Sequence, residues 1–530
     1  MKESLLSVFL AAALISGLIS VYAVPVSTAQ PGLVVIIASD TTWTKAGSPV
    51  NLTGPTVVNA GVTLTINPGV TVYQNGYTLY VNGTLKAIGT VSDKIQIFNG
   101  AITISGPFQP SSSSVFENVV ANSSIISNKL LTLINSTIRG AVTAGVASTF
   151  TNNAIVGDVE IGSSTSFTEN NVTGDISMGN FCLVSNNTIV GDTIAGNSTT
   201  VTNNTINGGL IYPSGWGGIY TATALTVGSE STITNNIISG GVRATSSTIS
   251  DNVISGGGPF TDWVGRPEDS TSAIMVSGAS STISNNSVSS TAGYGILIQG
   301  NYTYVSGNTV KKGIRVAGNA LIENNIISNS GTGIQVGRIY ISAFNEMDYG
   351  FGNSIIRHNT IVNNSVGIGS SYVGGTALIE RNLISNNSVG IDVVSQTTIL
   401  NNTIANSSIA IHLYDLYATT TINYNNIINY NNSVFLTYLP TNINATFNWW
   451  GSTNAQAFNL TIHDFKFDIN LGTVNFVPFL TQQNPSAFPE GTTPNPPVIS
   501  EFTPTTYLPL LITVTLLLSA GFKIKARTKR

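Results

Sequence analysis

Side chains able to do chemistry are scarce in this 530-residue chain, and three segments that break its repeat mix aromatic with charged ones. The first, 208–225, carries Tyr212, Trp216 and Tyr220; the second, 256–271, carries Asp262, Trp263, Arg266, Glu268 and Asp269. The third, 337–353, carries Arg338, Tyr340, Glu346, Asp348 and Tyr349. Aromatic faces stack on sugar rings while carboxylates and guanidinium groups bond hydroxyls, so these segments suit a glycan site. Its ligand contacts are expected from Tyr212, Trp216, Tyr220, Trp263, Arg266, Arg338, Tyr340 and Tyr349. Catalysis asks for more. Glycosidic hydrolysis needs two carboxylates at a set separation, and elimination needs acids holding a cation such as calcium beside a group that takes a proton. Asp262, Glu268, Asp269, Glu346 and Asp348 are the acids available for either, with Arg266 or Lys312 as base or charge stabiliser. Nothing in the spacing positions them, so a non-enzymatic role, structural, adhesive or glycan-binding, leads and polysaccharide cleavage by a lyase or glycoside hydrolase is the alternative.

Other reactive groups support less. The three histidines, His358, His412 and His463, offer no transition-metal site, and no cofactor is expected beyond calcium under the cleavage alternative. Cys182 is the sole cysteine and stands in the apolar run 181–184, which excludes a disulfide framework and reads as a buried small hydrophobe. When repeats are superposed, Glu323, Arg357 and Glu380 share one column, which reads as an alternating-charge ladder on neighbouring coils. Asp392 and His412 share another, where a carboxylate could orient an imidazole, a surface pair being the simpler account.

The element that must position all of these is a repeat. "LIENNIISNSGTGIQV" from Leu321, "IIRHNTIVNNSVGIGS" from Ile355, "LIERNLISNNSVGIDV" from Leu378 and "ILNNTIANSSIAIHLY" from Ile399 share one frame. Apolar residues at i and i+2, as in Ile334 and Val336, Ile391 and Val393, or Ile411 and Leu413, make strands. No single coil can bury its inward row, but stacking at about 4.8 Å places Ile over Ile. The pairs Asn235 and Asn236, Asn285 and Asn286, and Asn324 and Asn325 read as turn ladders, since Asn tolerates a left-handed backbone and its amide can bond the matching amide one coil away. The variable spacing disfavours a left-handed hexapeptide helix. The expected fold is all-β, a single parallel β-helix of about 20 coils between Thr90 and Leu480.

Composition agrees with a surface of hydroxyls and amides. Charged residues are 8% of the chain, well below the usual share. Setting aside Lys2, Glu3 and the five basic residues of the tail leaves 14 basic against 23 acidic residues, a balance of −9. That argues against a nucleic-acid partner and suits neutral polar partners such as glycans. About seventeen N-x-[ST] acceptors, among them Asn51, Asn186, Asn285, Asn363 and Asn444, make glycosylation an expectation in so Asn-rich a chain.

The ends read as addresses. Lys2, the apolar stretch Leu5 to Ile19 and small residues near Ala23 and Ala29 resemble a cleaved secretion signal over 1–29. Segment 481–506 holds six prolines and reads as an extended stalk. The uncharged apolar run 507–522, followed by Lys523, reads as the body of a marginal membrane span over 507–524, with a basic cytoplasmic tail over 525–530 and the repeats outside. The domain plan is therefore an N-terminal cap and first coils over 30–90, repeats over 91–447 and a closing cap over 448–480. Partner expectations are envelope or extracellular glycans and the membrane.

Several segments resemble known families. "VVNAGVTLTINPGVTVYQNGYTLYVNGTLKAIGT" from Val57, with Pro68, Gly69 and Gly83 at its turns, looks like the first coils of extracellular right-handed β-helix proteins. The repeats over Thr41 to Leu480 resemble the carbohydrate-binding and sugar-hydrolase β-helix superfamily, which includes NosD-type periplasmic proteins; the resemblance implies a right-handed coil. "NWWGSTNAQA" from Asn448 and "GTVNFVPFL" from Gly472 are similar to the closing segment of archaeal and bacterial surface β-helices, with Trp449 and Trp450 expected to cover the last coil. The run from Pro497 resembles archaeal surface-protein sorting tails that carry a Pro-Glu-Phe signal, but here Ser500 precedes Glu501 and Phe502.

Overall fold

Short alternating segments become stacked strands. The computed structural model describes residues 32–489 apart from 107–112, 209–210, 214–218, 222, 258–271, 291–292, 338–352, 372–375, 395 and 415–419. Each full coil lays one strand on each of three sheets, here faces 1, 2 and 3. In one coil Ala320–Glu323 lies on face 1, Ile326–Ser328 on face 2 and Thr332–Gly337 on face 3. Each strand pairs in parallel with its counterpart one coil away, as in Leu321 with Ile355, Ile327 with Ile361 and Ile334 with Ile368. Faces 1 and 3 each hold twenty strands, running from Thr41–Trp43 to Val474–Asn475 and from Val35–Ile37 to Ile462–His463. At about 4.8 Å per coil that is a stack of roughly 90 Å. Three of the twenty face 1 strands precede Thr90, so seventeen coils, not about twenty, fill the rest. The difference arises where matched face 1 residues stand 32 or 34 positions apart, Thr200 to Thr232, Thr248 to Thr282 and Leu321 to Ile355, against 17 in a plain coil such as Thr149 to Ser166.

The core is a property of the stack. On face 3 the inward line Ile314, Ile334, Ile368, Ile391, Ile411, Val434 and Ile462 is in register and fully buried. On face 1 Phe116, Leu133, Phe150 and Phe167 follow one another, the last two with ring centroids 5.5 Å apart. Cys182 is buried and free, with its Sγ 3.4 Å from the Gly179 carbonyl oxygen, and burial pushes its thiol pKa up.

The paired asparagines divide their labour. From Leu131–Ile134 to Thr420–Asn423, two residues join each face 1 strand to the following face 2 strand. The first of the two adopts φ near +57°, as at Asn235, Asn285 and Asn324, a conformation Asn tolerates better than bulkier residues. The second points inward and builds one unbroken ladder through Asn153, Asn170, Asn187, Asn204, Asn236, Asn252, Asn286, Asn308, Asn325, Asn359, Asn382, Asn402, Asn425 and Asn448. At each step Oδ1 accepts from the preceding asparagine's backbone N–H and from its Nδ2: Asn325 N and Nδ2 both donate to Asn359 Oδ1 at 3.0 Å. Nδ2 also donates to backbone carbonyls, for Asn359 those of Ile322 and Arg357 at 2.9 Å. A buried amide so satisfied is favourable; one left half-satisfied is costly.

The last coil is sealed. Trp450 is buried and stacks on Phe458 at 5.6 Å, which the short helix Ala455–Asn459 presents, while Trp449 is half-buried. Tyr430 donates its hydroxyl to the Trp450 carbonyl at 2.6 Å, and burial pushes its pKa up to about 12. The stalk expected from Thr481 begins instead as a packed strap: Asn484 Nδ2 donates to Asn401 Oδ1 at 2.9 Å, and Ala487 and Phe488 are buried. Its polar anchor on the ladder corner outweighs the extended bias of its prolines. The expected secretion signal, the rest of the stalk from Glu490, the span 507–524 and the basic tail lie outside the described residues. No described helix is long and apolar enough to cross a membrane.

Replacing Asn359 with Ala strands two buried donors of Asn325, which should lower stability by roughly 2–5 kcal/mol. Asn324→Gly keeps the left-handed turn and should stay within about 0.5 kcal/mol. Urea unfolding followed by circular dichroism compares the two; equal midpoints would remove the ladder from its structural role.

Candidate functional site

Strand alternation sends one residue of each face 3 strand outward between two buried neighbours. In register these are Thr226, Arg243, Met275, Leu297, Arg315, Gln335, Gly369, Asp392, His412, Phe435 and His463. Arg243 is exposed, yet enough protein surrounds its guanidinium that burial draws its pKa below the ordinary arginine value. Leu297 and Ala317 are buried outside the main core, with Met275 against them. Arg315 donates to the Tyr294 hydroxyl at 3.2 Å and sits 5.5 Å from that ring's centroid.

Toward the C-terminal coils the line becomes a row of rings. His412 stacks on Tyr414 at 5.2 Å and meets Phe435 edge-on at 5.7 Å. Phe435 lies flat on His463 at 4.2 Å with 7° between planes, and His463 stacks on Phe467 at 5.2 Å. Lys466 Nζ sits 5.6 Å from the Phe467 centroid and pairs with Asp464 at 2.7 Å. The row is half-buried to exposed; because the rings stack on one another, it is their edges that remain open to a ligand. At its upper end Asp392 Oδ1 lies 2.9 Å from His412 Nδ1, and His412 Nε2 lies 3.0 Å from Thr437 Oγ1.

The three chemistry-bearing insertions border this same face. The first two open between faces 2 and 3, after Thr205–Asn207 and after Val253–Ser255. The third opens between faces 3 and 1, after Thr332–Gly337. Within the first, Tyr212 pairs directly with Tyr220 across a two-stranded antiparallel ribbon. Trp216, Trp263, Arg266, Arg338, Tyr340 and Tyr349 lie outside the described residues, as do Asp262, Glu268, Asp269, Glu346 and Asp348. The described structure therefore brings none of those acids into a pair.

The expected charge ladder is present on face 1. Arg357 Nε lies 2.6 Å from Glu323 Oε2, and the Tyr304 hydroxyl donates to Glu323 Oε1 at 2.7 Å. Burial pushes the Glu323 carboxyl up, but these two hydrogen bonds and the Arg357 charge more than offset it, leaving the pKa below the usual value. The expected Asp392–His412 pair is also present. His463 sits on the same line two coils from His412, with Phe435 between. Thr437, Tyr414 and Phe435 escape a reading that looks for charges. Aligning the apolar-X-apolar triplets 411–413 and 434–436 finds Phe435, and the shorter Ile462–His463 finds His463. A groove of about 430 Å³ flanks the asparagine corner of earlier coils, and its lining holds only Lys94 and Glu169 as charges; it assembles no reactive set. Among the described residues no three His, Cys, Asp or Glu side chains gather as a metal site.

A family model described as the right-handed β-helix region matches residues 193–338 and 241–450. That stretch lies within the parallel β-helix described above. A variant of the periplasmic alginate epimerase AlgG is similar at 9% identity and a TM-score of 0.22, covering 78% of this chain and 84% of that one. A PL6 family polysaccharide lyase from Pseudopedobacter saltans gives 12% and 0.23, covering 66% and 84%. The Azotobacter vinelandii mannuronan C-5 epimerase AlgE6 A-module gives 14% and 0.17, covering 68% and 89%. Likenesses at this level say nothing about what this chain acts on. No protein of curated function matches the sequence.

Because the folded Glu323 carboxyl titrates below its unfolded value near 4.3, its contribution is full above that pH and is lost as pH falls through the folded pKa. Glu323→Gln should therefore flatten the fall in thermal midpoint between about pH 5 and pH 3, by less than ~1 kcal/mol since Arg357 is substantially exposed. An unchanged slope would dismiss the pair as a contributor.

Proposed function

We propose that this chain is a secreted, membrane-anchored β-helical surface protein that holds a polysaccharide along face 3. The observation that carries the reading is the continuous row of rings from Tyr414 through His412, Phe435 and His463 to Phe467, of which His412, Phe435 and His463 are in register. Rings at successive coils follow the stack axis at about 4.8 Å per step, which suits an extended polymer whose apolar sugar faces lie along the exposed ring edges. The low charge favours a ligand recognised through hydroxyls, and Asp392 and Lys466 supply hydrogen-bonding ends to the row. Insertions at both borders of face 3 bring Tyr212, Trp216, Tyr220, Trp263, Arg266, Arg338, Tyr340 and Tyr349 in as further contacts. The secretion signal and the C-terminal anchor complete the proposal by placing the rod outside the cell.

Residues 30–489 are to be passed over immobilised neutral and uronate glycans, with and without calcium. Retention is expected on at least one of them. Phe435→Ala and His463→Ala should each weaken it about 5-fold, the ~1 kcal/mol of one ring contact, with thermal midpoints close to the parent's. Trp216→Ala and Trp263→Ala test the insertions in the same way. Undiminished retention by both row variants would reject face 3 as the site. Chain shortening of the eluted glycan is the outcome that would move the reading to the cleavage alternative.

A further inference from the structure

The row of rings leaves one arrangement unused. The Asp392 carboxylate accepts and cannot donate, so the Nδ1 it faces at 2.9 Å carries the proton. In the neutral imidazole Nε2 then presents its lone pair, and the Thr437 hydroxyl 3.0 Å away is the donor. Carboxylate, imidazole and hydroxyl thus stand in the order that activates a hydroxyl for acyl transfer. Glycosidic hydrolysis fits this set less well, because it takes two carboxylates, while here the carboxylate orients a ring.

The support is rigid. Asp392 and His412 are direct register partners on adjacent strands, and Thr437 lies on the next strand, two residues beyond the partner of His412. Each sits beside residues fixed in the core: Ile391 and Val393, Ile411 and Leu413, and Leu436. The imidazole is further held by Tyr414 and Phe435. Asp392 and His412 keep about a quarter of their side-chain surface open, and Thr437 is half-buried, so a small acyl group can reach the hydroxyl.

We propose that Asp392, His412 and Thr437 hydrolyse an O-acyl ester carried on a sugar, with Thr437 Oγ1 as nucleophile. Oγ1 attacks the acyl carbonyl carbon as its proton passes to His412 Nε2. The carbon–oxygen bond to the sugar breaks, and Nε2 returns that proton to the departing sugar oxygen, leaving acyl-threonine. Water then attacks the acyl carbon, giving a proton to Nε2; the carboxylic acid departs and Oγ1 takes the proton back. Asp392 is a positioning residue that holds Nδ1–H throughout. The sugar part of the substrate rests on the glycan reading of the row; the ester chemistry does not.

The full chain should release acetate from p-nitrophenyl acetate and from O-acetylated xylan. Thr437→Val, His412→Asn and Asp392→Asn should each lower kcat by about 10³-fold or more while KM changes little. Thr437→Ser should keep activity within about 10-fold, and acid quench during turnover should trap acetyl on Thr437, seen by peptide mass spectrometry. Turnover of neither ester by the folded protein, or equal turnover by Thr437→Val, overturns the proposal. Ester turnover without glycan retention keeps the relay and removes the glycan reading; retention without turnover does the reverse.

Discussion

A buried amide with both of its ends occupied sets where each coil sits on the last. In the ladder from Asn153 to Asn448, each Oδ1 from Asn170 on takes two hydrogen bonds from the asparagine of the coil before, and each Nδ2 up to Asn425 passes the pattern on to the coil after. Slipping one coil by a residue would strand several buried donors at about 1–3 kcal/mol apiece and turn the inward aliphatic row toward water. Register is thus held twice, by amides at one corner and by aliphatic side chains on three faces.

That constraint decides where variation is allowed. The corner between faces 1 and 2 keeps its two-residue connection from Leu131–Ile134 to Thr420–Asn423, because a third residue would break the ladder. The other two corners carry no continuous amide chain, and all three large insertions open there. Both of those corners are edges of face 3. Outward positions on that face also escape the core's demand for aliphatics, so arginine, aspartate, histidine and phenylalanine follow one another along a single line at little cost to the stack. Face 3 lies between the two corners that can lengthen, so its outward line is the one the insertions border.

The same logic explains what could be read from residues alone. The aliphatic frame and the paired asparagines recur, so the coil, its inward rows and its turn ladder are legible, as is the pairing of Asp392 with His412, which occupy matching places in two clean repeats. The split between a left-handed first asparagine and a buried second one is not, since both are the same residue type. Phe435, Thr437 and His463 are hidden for another reason. They stand in coils whose connections have lengthened, 23 positions separating His412 from Phe435 and 28 separating Phe435 from His463, and nothing about an outward position repeats. The insertions were visible as breaks in the frame, but a break tells which side chains are present and not how they meet.

A stack that propagates by repetition must also stop. Its last rung offers unpaired backbone and a bare aliphatic end. Here the asparagine corner itself changes as the end approaches. The left-handed position passes from Asn401 to Tyr424 and Phe447, whose φ of 58° is strained for aromatic residues. Their rings lie parallel at 5.3 Å, and Asn484 from the closing strap donates to the Tyr424 carbonyl, contacts that help hold the strained turn. Trp450 and Phe458 close the aliphatic end, and the chain that leaves them supplies His463 and Phe467 to the outward row. Sealing the core and extending the candidate binding face are therefore done by one segment, which is why the row lies in the final coils and not in the uniform middle of the rod.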